Sequence, residues 1–302
     1  MKNAKKPLSP DIEARWSHQA QLFALDALMA ESSWGASQVA FQGGTSLHLS
    51  WQSPRFSEDL DFLIARQVAD IDRVMPRVAR RIQERFIAED PAFTVELQDK
   101  TRDAARMPVY YLNLEHPSYI GKARVKVEFW RVDADYLAAY PTELRTPAAH
   151  GEWVSRVSHP VPAATLETAF CDKLTAFATR PYLKWRDVYD LWWIGTQTDV
   201  QLDRTAIVRQ FHHNLSAYSP PEGLSSAAAL RRFLERPRDE VVRQADPELK
   251  RWLPPSVWAR VYPEGIGEMV DYARRILDEV ASSLEEEASA SAERTLPKRV
   301  RP

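Results

Sequence analysis

The only adjacent pair of glycines in the chain, Gly43-Gly44, joins a short apolar run, Val39-Ala40-Phe41, to an amphipathic segment from Thr45 to Trp51. Glycine is scarce, nine in 302 residues, so the doublet marks a place where the backbone turns tightly or comes close to something. A strand, a turn and a helical turn are the expected local order. The next segment reads Arg55-Phe56-Ser57-Glu58-Asp59-Leu60-Asp61-Phe62, with two aspartates spaced i, i+2 among apolar neighbours. In a strand such residues point to one side, with Cα atoms about 6.5–7 Å apart. Asp59 and Asp61 therefore face together, and Leu60 and Phe62 face the other way. Two carboxylates so placed repel unless something positive sits between them, and a hard divalent cation with oxygen ligands suits the place. A solvated edge strand whose outer face happens to read Asp-x-Asp has the same pattern.

Hydrophobic periodicity extends this reading along the chain. Apolar residues at helical spacing (Trp16, Ala20, Phe23, Ala27) predict a helix over 11–33, and another is expected over 68–88 with Pro76 in its first half. Strands are expected at Asp59 to Ile64, Phe93 to Leu97, Val109 to Leu114 and Arg124 to Trp130. The last alternates cleanly, with Arg124, Lys126 and Glu128 on one face and Val125, Val127 and Phe129 on the other. Beyond residue 160 the pattern turns helical, over 164–179, 184–196, 203–215, 225–236 and 263–287, with prolines between. The expected organisation is a mixed α/β (α+β) part over 1–160, a helical part over 161–285 and a disordered tail over 286–302. That tail mixes Ser, Ala, Glu and Arg with few large apolar residues.

Composition narrows the chemistry. A net charge of −2 excludes a uniformly basic nucleic-acid coat and leaves only local patches. Two are visible: Arg73, Arg77, Arg80, Arg81 and Arg85 at helical spacing, and eight Lys or Arg against five acids between residues 231 and 260. Either can hold an RNA backbone, or be a solvated helix face. The single cysteine, Cys171, excludes an internal disulfide and reads as a buried structural thiol. The seven histidines show no metal spacing, so no zinc is assigned. The first ten residues lack an apolar signal region and no segment approaches a membrane span, so a cytoplasmic protein with no membrane partner is expected.

Other residues supply the remaining parts of a phosphate-handling site. Glu128 can bring a third carboxylate from a neighbouring strand, or belong to a solvent-exposed charged face. The glycine doublet can let backbone N–H groups and the Thr45 or Ser46 hydroxyl approach phosphate oxygens at a helix start. It is not a Walker sequence. Phosphoryl and nucleotidyl transfer ask for metals bridging the phosphates and for cations that offset developing charge. Lys173 and Arg180, seven residues apart, share a helix face beside the apolar stripe Leu166, Phe170, Leu174 and Phe177. Asp187 and Asp190, at i, i+3 on the next helix, can orient Lys173 or a base. An amphipathic helix pair laced by salt bridges reads the same way.

Taken in order, Gly43-Gly44-Thr45-Ser46-Leu47, Arg55-x-Ser57-x-Asp59-Leu60-Asp61-Phe62, Lys126-x-Glu128, and Lys173-Leu174-x-Ala176 … Arg180 … Arg186-Asp187-x-Tyr189-Asp190-Leu191 resemble the AbiEii-type nucleotidyltransferase toxins, also called the MenT group. The resemblance implies a DNA polymerase β-like nucleotidyltransferase fold with a mixed sheet and a helical C-terminal part that completes the active site. It implies transfer of a nucleotide from an NTP to the 3′ acceptor end of tRNA, which blocks aminoacylation and translation, and a cognate antitoxin as partner. Asp59 and Asp61, with Glu128, would hold Mg2+ or Mn2+. Lys173 would contact the triphosphate, and Asp187 or Asp190 would complete the catalytic set. Gly43, Gly44, Thr45, Ser46, Arg55, Ser57, Lys126 and Arg180 would bind the NTP.

Ser57, two residues before Asp59, is expected to be either a loop or phosphate contact or a silencing phosphorylation site beside the carboxylates. Two alternatives stay open: a small-molecule or protein hydroxyl as acceptor, and a non-catalytic partner-binding protein on the same scaffold. Asp59→Ala and Lys173→Ala are each expected to abolish transfer while leaving the fold intact.

Overall fold

The computed structural model describes residues 5–148, 157–218 and 222–295, with side chains as far as Ala290. The chain divides into two compact units, Met1–Thr165 and Leu166–Pro302.

The first unit runs β1 (Lys6–Pro7), α1 (Pro10–Glu31), β2 (Val39–Gln42), α2 (Gly43–Trp51), β3 (Asp59–Ala65), α3 (Ile71–Glu89), β4 (Thr94–Asp99), β5 (Val109–Glu115), β6 (Tyr119–Ile120), β7 (Ala123–Val132), α4 (Ala134–Ala138), β8 (Thr142–Arg145) and β9 (Val161–Ala164). Seven strands form one sheet in the order β4-β5-β7-β3-β2-β9-β8. It is mixed, because β3 runs parallel to β7 and β2 parallel to β9 while the other pairs are antiparallel.

One face of this sheet is dry. Phe41 on β2, Phe62 on β3 and Phe129 on β7 are fully buried in a row, with ring centroids 5.1 and 5.3 Å apart. Burying each such side chain contributes about 1.5–3 kcal/mol. Helices α1 and α3 close this face. Ser9 caps the first and Pro10 occupies its first turn, where a missing N–H costs nothing. Phe23 of α1 meets Phe86 of α3 edge-on at 5.5 Å. The alternation along β3 and β7 then leaves Asp59, Asp61, Lys126 and Glu128 half-buried on the opposite face.

Four strands of this unit, β1, β6, β8 and β9, were not expected. β9 reads Val-Pro-Ala-Ala, which has little strand propensity, and exists because β2 and β8 flank it.

The second unit is helical: α5 (Leu166–Thr179), α6 (Trp185–Gly195), α7 (Arg204–Leu215), α8 (Ser226–Arg231), α9 (Arg238–Arg243), α10 (Ala245–Leu249), α11 (Pro255–Val261) and α12 (Glu264–Thr295). Phe170, Leu174, Trp185, Leu191, Phe211, Leu230, Met269 and Leu277 are all buried and form its core. The helix expected over 225–236 ends at Arg231, and the proline-rich stretch after it holds three short helices. The expected disordered tail is corrected in part: α12 carries residues 286–295, and only 296–302 fall outside the described residues. Strong helix formers (Glu, Ala) extend a helix already anchored by its buried stripe. The mixed sheet and helical C-terminal part are as expected from the sequence.

Candidate active site

In the first unit, the start of β3 is held from two sides. The buried Thr45 hydroxyl of α2 donates to the carbonyl of Asp59. Gln21, buried on α1, donates its amide to the carbonyls of Ser57 and Glu58 at 2.9 and 2.8 Å. Three consecutive carbonyls are thus pinned, and the strand emerges with Asp59 and Asp61 on the open face. Gln21 was missed by the sequence reading; a lone amide within the apolar stripe of helix 11–33 was the available signal.

The glycine doublet proves to be shaped by side chains of its own unit. Gly43 has φ +79°, in the left-handed region, and a Cβ there would lie 2.6 Å from Asp61 Oδ2. A Cβ on Gly44 would strike the guanidinium of Arg55 and lie 2.8 Å from Ser57 Oγ. So the doublet, Arg55, Ser57 and Asp61 do come together, and what approaches the bare backbone is carboxylate, guanidinium and hydroxyl. Arg55 itself is almost fully buried and donates to the Phe56 carbonyl at 2.9 Å. Of the two hydroxyls expected to meet a phosphate, that of Thr45 donates to the Asp59 carbonyl, and that of Ser46 is buried without a hydrogen-bond partner among the described residues.

The parallel pairing of β3 with β7 sets Asp59 opposite Lys126 and Asp61 opposite Glu128. Lys126 Nζ lies 2.7 Å from Glu128 Oε1. Burial would lower the Lys126 pKa, but Glu128, Asp59 and Asp61 outweigh it and hold it above its ordinary value. Three carboxylates therefore act on the Lys126 ammonium, and the Arg55 guanidinium reaches the same glycine doublet as Asp61. In donor chemistry the face fits a hard divalent cation, with Asp59 and Asp61 as ligands. Among the described residues no group of three or more His, Cys, Asp or Glu is placed to hold a metal ion, and Glu128 is engaged by Lys126.

The second unit carries the other expected residues. Lys173 Nζ lies 3.3 Å from Asp187 Oδ1 and 2.8 Å from Asp190 Oδ2, all three buried. Arg180 donates to the second oxygen of Asp187. Burial pushes the Asp187 carboxyl up, but Lys173 and Arg180 outweigh it and keep it below its ordinary value. Cys171 is buried, its thiol pushed up by desolvation, as suits a structural group.

The row of arginines on α3 is not a free basic face. Arg77 and Arg81 meet Glu31, and Arg85 meets Asp26 at 2.8 Å, so three of the five tie α3 to α1. In the 231–260 stretch, Arg231 meets Asp278 and Glu285, and Arg238 meets Asp271 at 2.7 Å. No described helix is long and apolar enough to cross a membrane.

Comparison with known proteins gives a family and a fold. Residues 24–255 match the family described as "Nucleotidyl transferase AbiEii toxin, Type IV TA system". Among solved structures, MenT4, the nucleotidyltransferase toxin Rv2826c from Mycobacterium tuberculosis H37Rv, is similar with a TM-score of 0.56 at 22% identity, covering 90% of this chain and 94% of that one. A putative nucleotidyltransferase from H. pylori is similar at 0.51 and 17% identity, covering 92% and 98%. JHP933 from Helicobacter pylori is similar at 0.50 and 17%, covering 95% and 98%. At these identities the likeness is one of fold. No curated protein matches the chain.

Proposed function

The chain belongs to the AbiEii nucleotidyltransferase toxin family of type IV toxin–antitoxin systems, and from that premise we propose that it transfers a nucleoside monophosphate from an NTP to the 3′ acceptor end of tRNA. The observation that supports this best is the pair Asp59 and Asp61, facing one way from a strand start pinned by Thr45 and Gln21, with Glu128 in register beside them. The 3′ hydroxyl oxygen of the acceptor gives up its proton to water and forms a bond to the α-phosphorus, the bond to the bridging oxygen breaks, and pyrophosphate leaves with the electron pair. A bound Mg2+ or Mn2+ would draw charge from the phosphates as that bond forms.

The chain's own part is to hold and orient. Asp59 and Asp61 would ligate the metal; Glu128 would join them once Lys126 turns to a phosphate oxygen. Lys126, kept protonated by the surrounding carboxylates, is the cation on hand for that exchange. Gly43, Gly44, Arg55 and Ser57 shape the wall behind Asp61. Lys173 takes the role of triphosphate contact, with Arg180 as a second cation and Asp187 and Asp190 fixing the Lys173 ammonium. In this reading the protein acts in the cytoplasm, blocks aminoacylation, and is neutralised by a cognate antitoxin, with Ser57 phosphorylation as one route.

The test is incubation of the protein with each α-labelled NTP and total tRNA. Label at the tRNA 3′ end, dependent on Mg2+ or Mn2+ and absent in Asp61→Asn, is the expected result. Label confined to protein or to small molecules would overturn the tRNA acceptor.

A further inference from the structure

In the second unit Arg204, Arg231, Arg238 and Arg275 reach carboxylates. Several other cations reach none among the described residues, and three of these, Lys184, Arg232 and Arg236, line one small cavity of about 70 Å³ together with Arg180. Its single acid, Asp187, is already met by Lys173 and Arg180. Phe177 and Phe233, in edge contact at 5.2 Å, give the cavity a rigid apolar floor. The Nε of Arg232 is buried there without a hydrogen-bond partner, while another of its nitrogens donates to the Arg180 carbonyl at 3.2 Å. A desolvated donor left unmet is unusual in a folded protein and suits an acceptor that arrives with a ligand. Beside the cavity Tyr182 is 58% exposed, and the Lys184 ammonium lies 5.6 Å from its ring centroid.

The size decides what fits. A space of about 70 Å³ is well below the ~300 Å³ at which pockets begin to enclose a whole small molecule. It admits one phosphate group, not a nucleotide. An exposed aromatic ring beside a phosphate-sized cationic cup matches how single strands are held, by backbone charge and base stacking. We propose that this cavity takes one backbone phosphate of the acceptor RNA strand, through Arg232 and Arg236, with Tyr182 stacking on an adjoining base. The proposal rests on the reading that the acceptor is RNA, and assigns a site for it that the transfer chemistry alone does not define.

Two variants test it beside the wild type: Arg232→Gln with Arg236→Gln, and Tyr182→Ala. The probes are total tRNA and a fluorescent single-stranded RNA of about 12 nucleotides, a length within the range such sites cover. Binding is read by anisotropy across a salt series, beside the KM for NTP. The arginine double variant should bind RNA on the order of tenfold more weakly and lose about 0.7 from the slope of log K against log salt, the value for one phosphate on a single strand. Tyr182→Ala should weaken binding with the slope unchanged. KM for NTP should stay at the wild-type value in both.

Unchanged RNA affinity and slope in the folded double variant would overturn the proposal, as would a wild type that binds neither probe. A rise in KM for NTP with RNA binding intact would assign the cup to the triphosphate instead, and overturn it too. Failure of the acceptor reading looks different: the wild type binds RNA, the double variant does not, and no RNA is labelled.

Discussion

In the first unit three carboxylates, Asp59, Asp61 and Glu128, share a half-exposed sheet face with one ammonium, Lys126. In the second, Lys173 and Arg180 meet Asp187 and Asp190, two cations against two anions, with the lysine and both aspartates buried. Both clusters join carboxylates to cations; their exposure to solvent differs. A half-exposed cluster of carboxylates tolerates its own repulsion because water screens it, and it can gain by taking up a cation. A buried cluster has no such freedom, because each charge left alone in low dielectric costs several kcal/mol. The first cluster is therefore poised for a ligand. The second is an ion-paired part of the fold whatever its role in the reaction.

Loss of a carboxylate from the open cluster is the sharpest way to break that contrast. Asp59→Ala should lower transfer by two orders of magnitude or more, the scale of lost electrostatic stabilisation, while thermal unfolding stays near wild type. A large fall in melting temperature would show that the open cluster is structural as well.

Lys173→Ala should behave in the opposite way. The sequence reading expected this variant to keep its fold, but Asp187 and Asp190 would then be buried without the ammonium between them, at a cost of about 3–5 kcal/mol. Chemical denaturation measures it directly. Adding Asp190→Asn to Lys173→Met should recover part of the loss, and no recovery would mean the cluster is not coupled as described.

Smaller effects sharpen the picture. Gly43→Ala forces a side chain into the left-handed region, about 1–2 kcal/mol, and presses its Cβ onto Asp61, so activity should fall further than stability. The steady-state rate beside a melting curve separates the two. The smallest effect is in acid. Asp187 titrates below its ordinary value of 3.8, so its contribution to stability is complete above that pH and is lost as pH falls through the depressed folded value. Urea midpoints followed downward from pH 5 should show this loss in the wild type and a flatter profile in Asp187→Asn.

Much of the site could be read in advance because strand alternation is local. Asp59 and Asp61 had to share a face, as did Lys126 and Glu128, once each segment was a strand. The doublet was read correctly as close approach, but not what approaches it, since Arg55, Ser57 and Asp61 return to it only after a helix and a loop. The α3 arginines read as either an RNA surface or a solvated face, and not as ties to α1, because Glu31 and Asp26 lie on another helix, far away in sequence. β9 was invisible because its strand character comes from its neighbours.

The sequence by itself determined which residues share a face, where helices start, and that carboxylates would stand together on a strand. Those follow from periods of two and 3.6 along one segment. Only the tertiary structure decided which charges are already answered. The parallel register of β3 on β7 puts Glu128 beside Asp61 and Lys126 between the carboxylates. The packing of α5 with α6 closes Lys173 onto Asp187 and Asp190, while Arg232 and Arg236 are left facing a cup with no acid of their own. Charge pairing acts through space over a few ångströms, so it is settled by the fold, not by spacing along the chain.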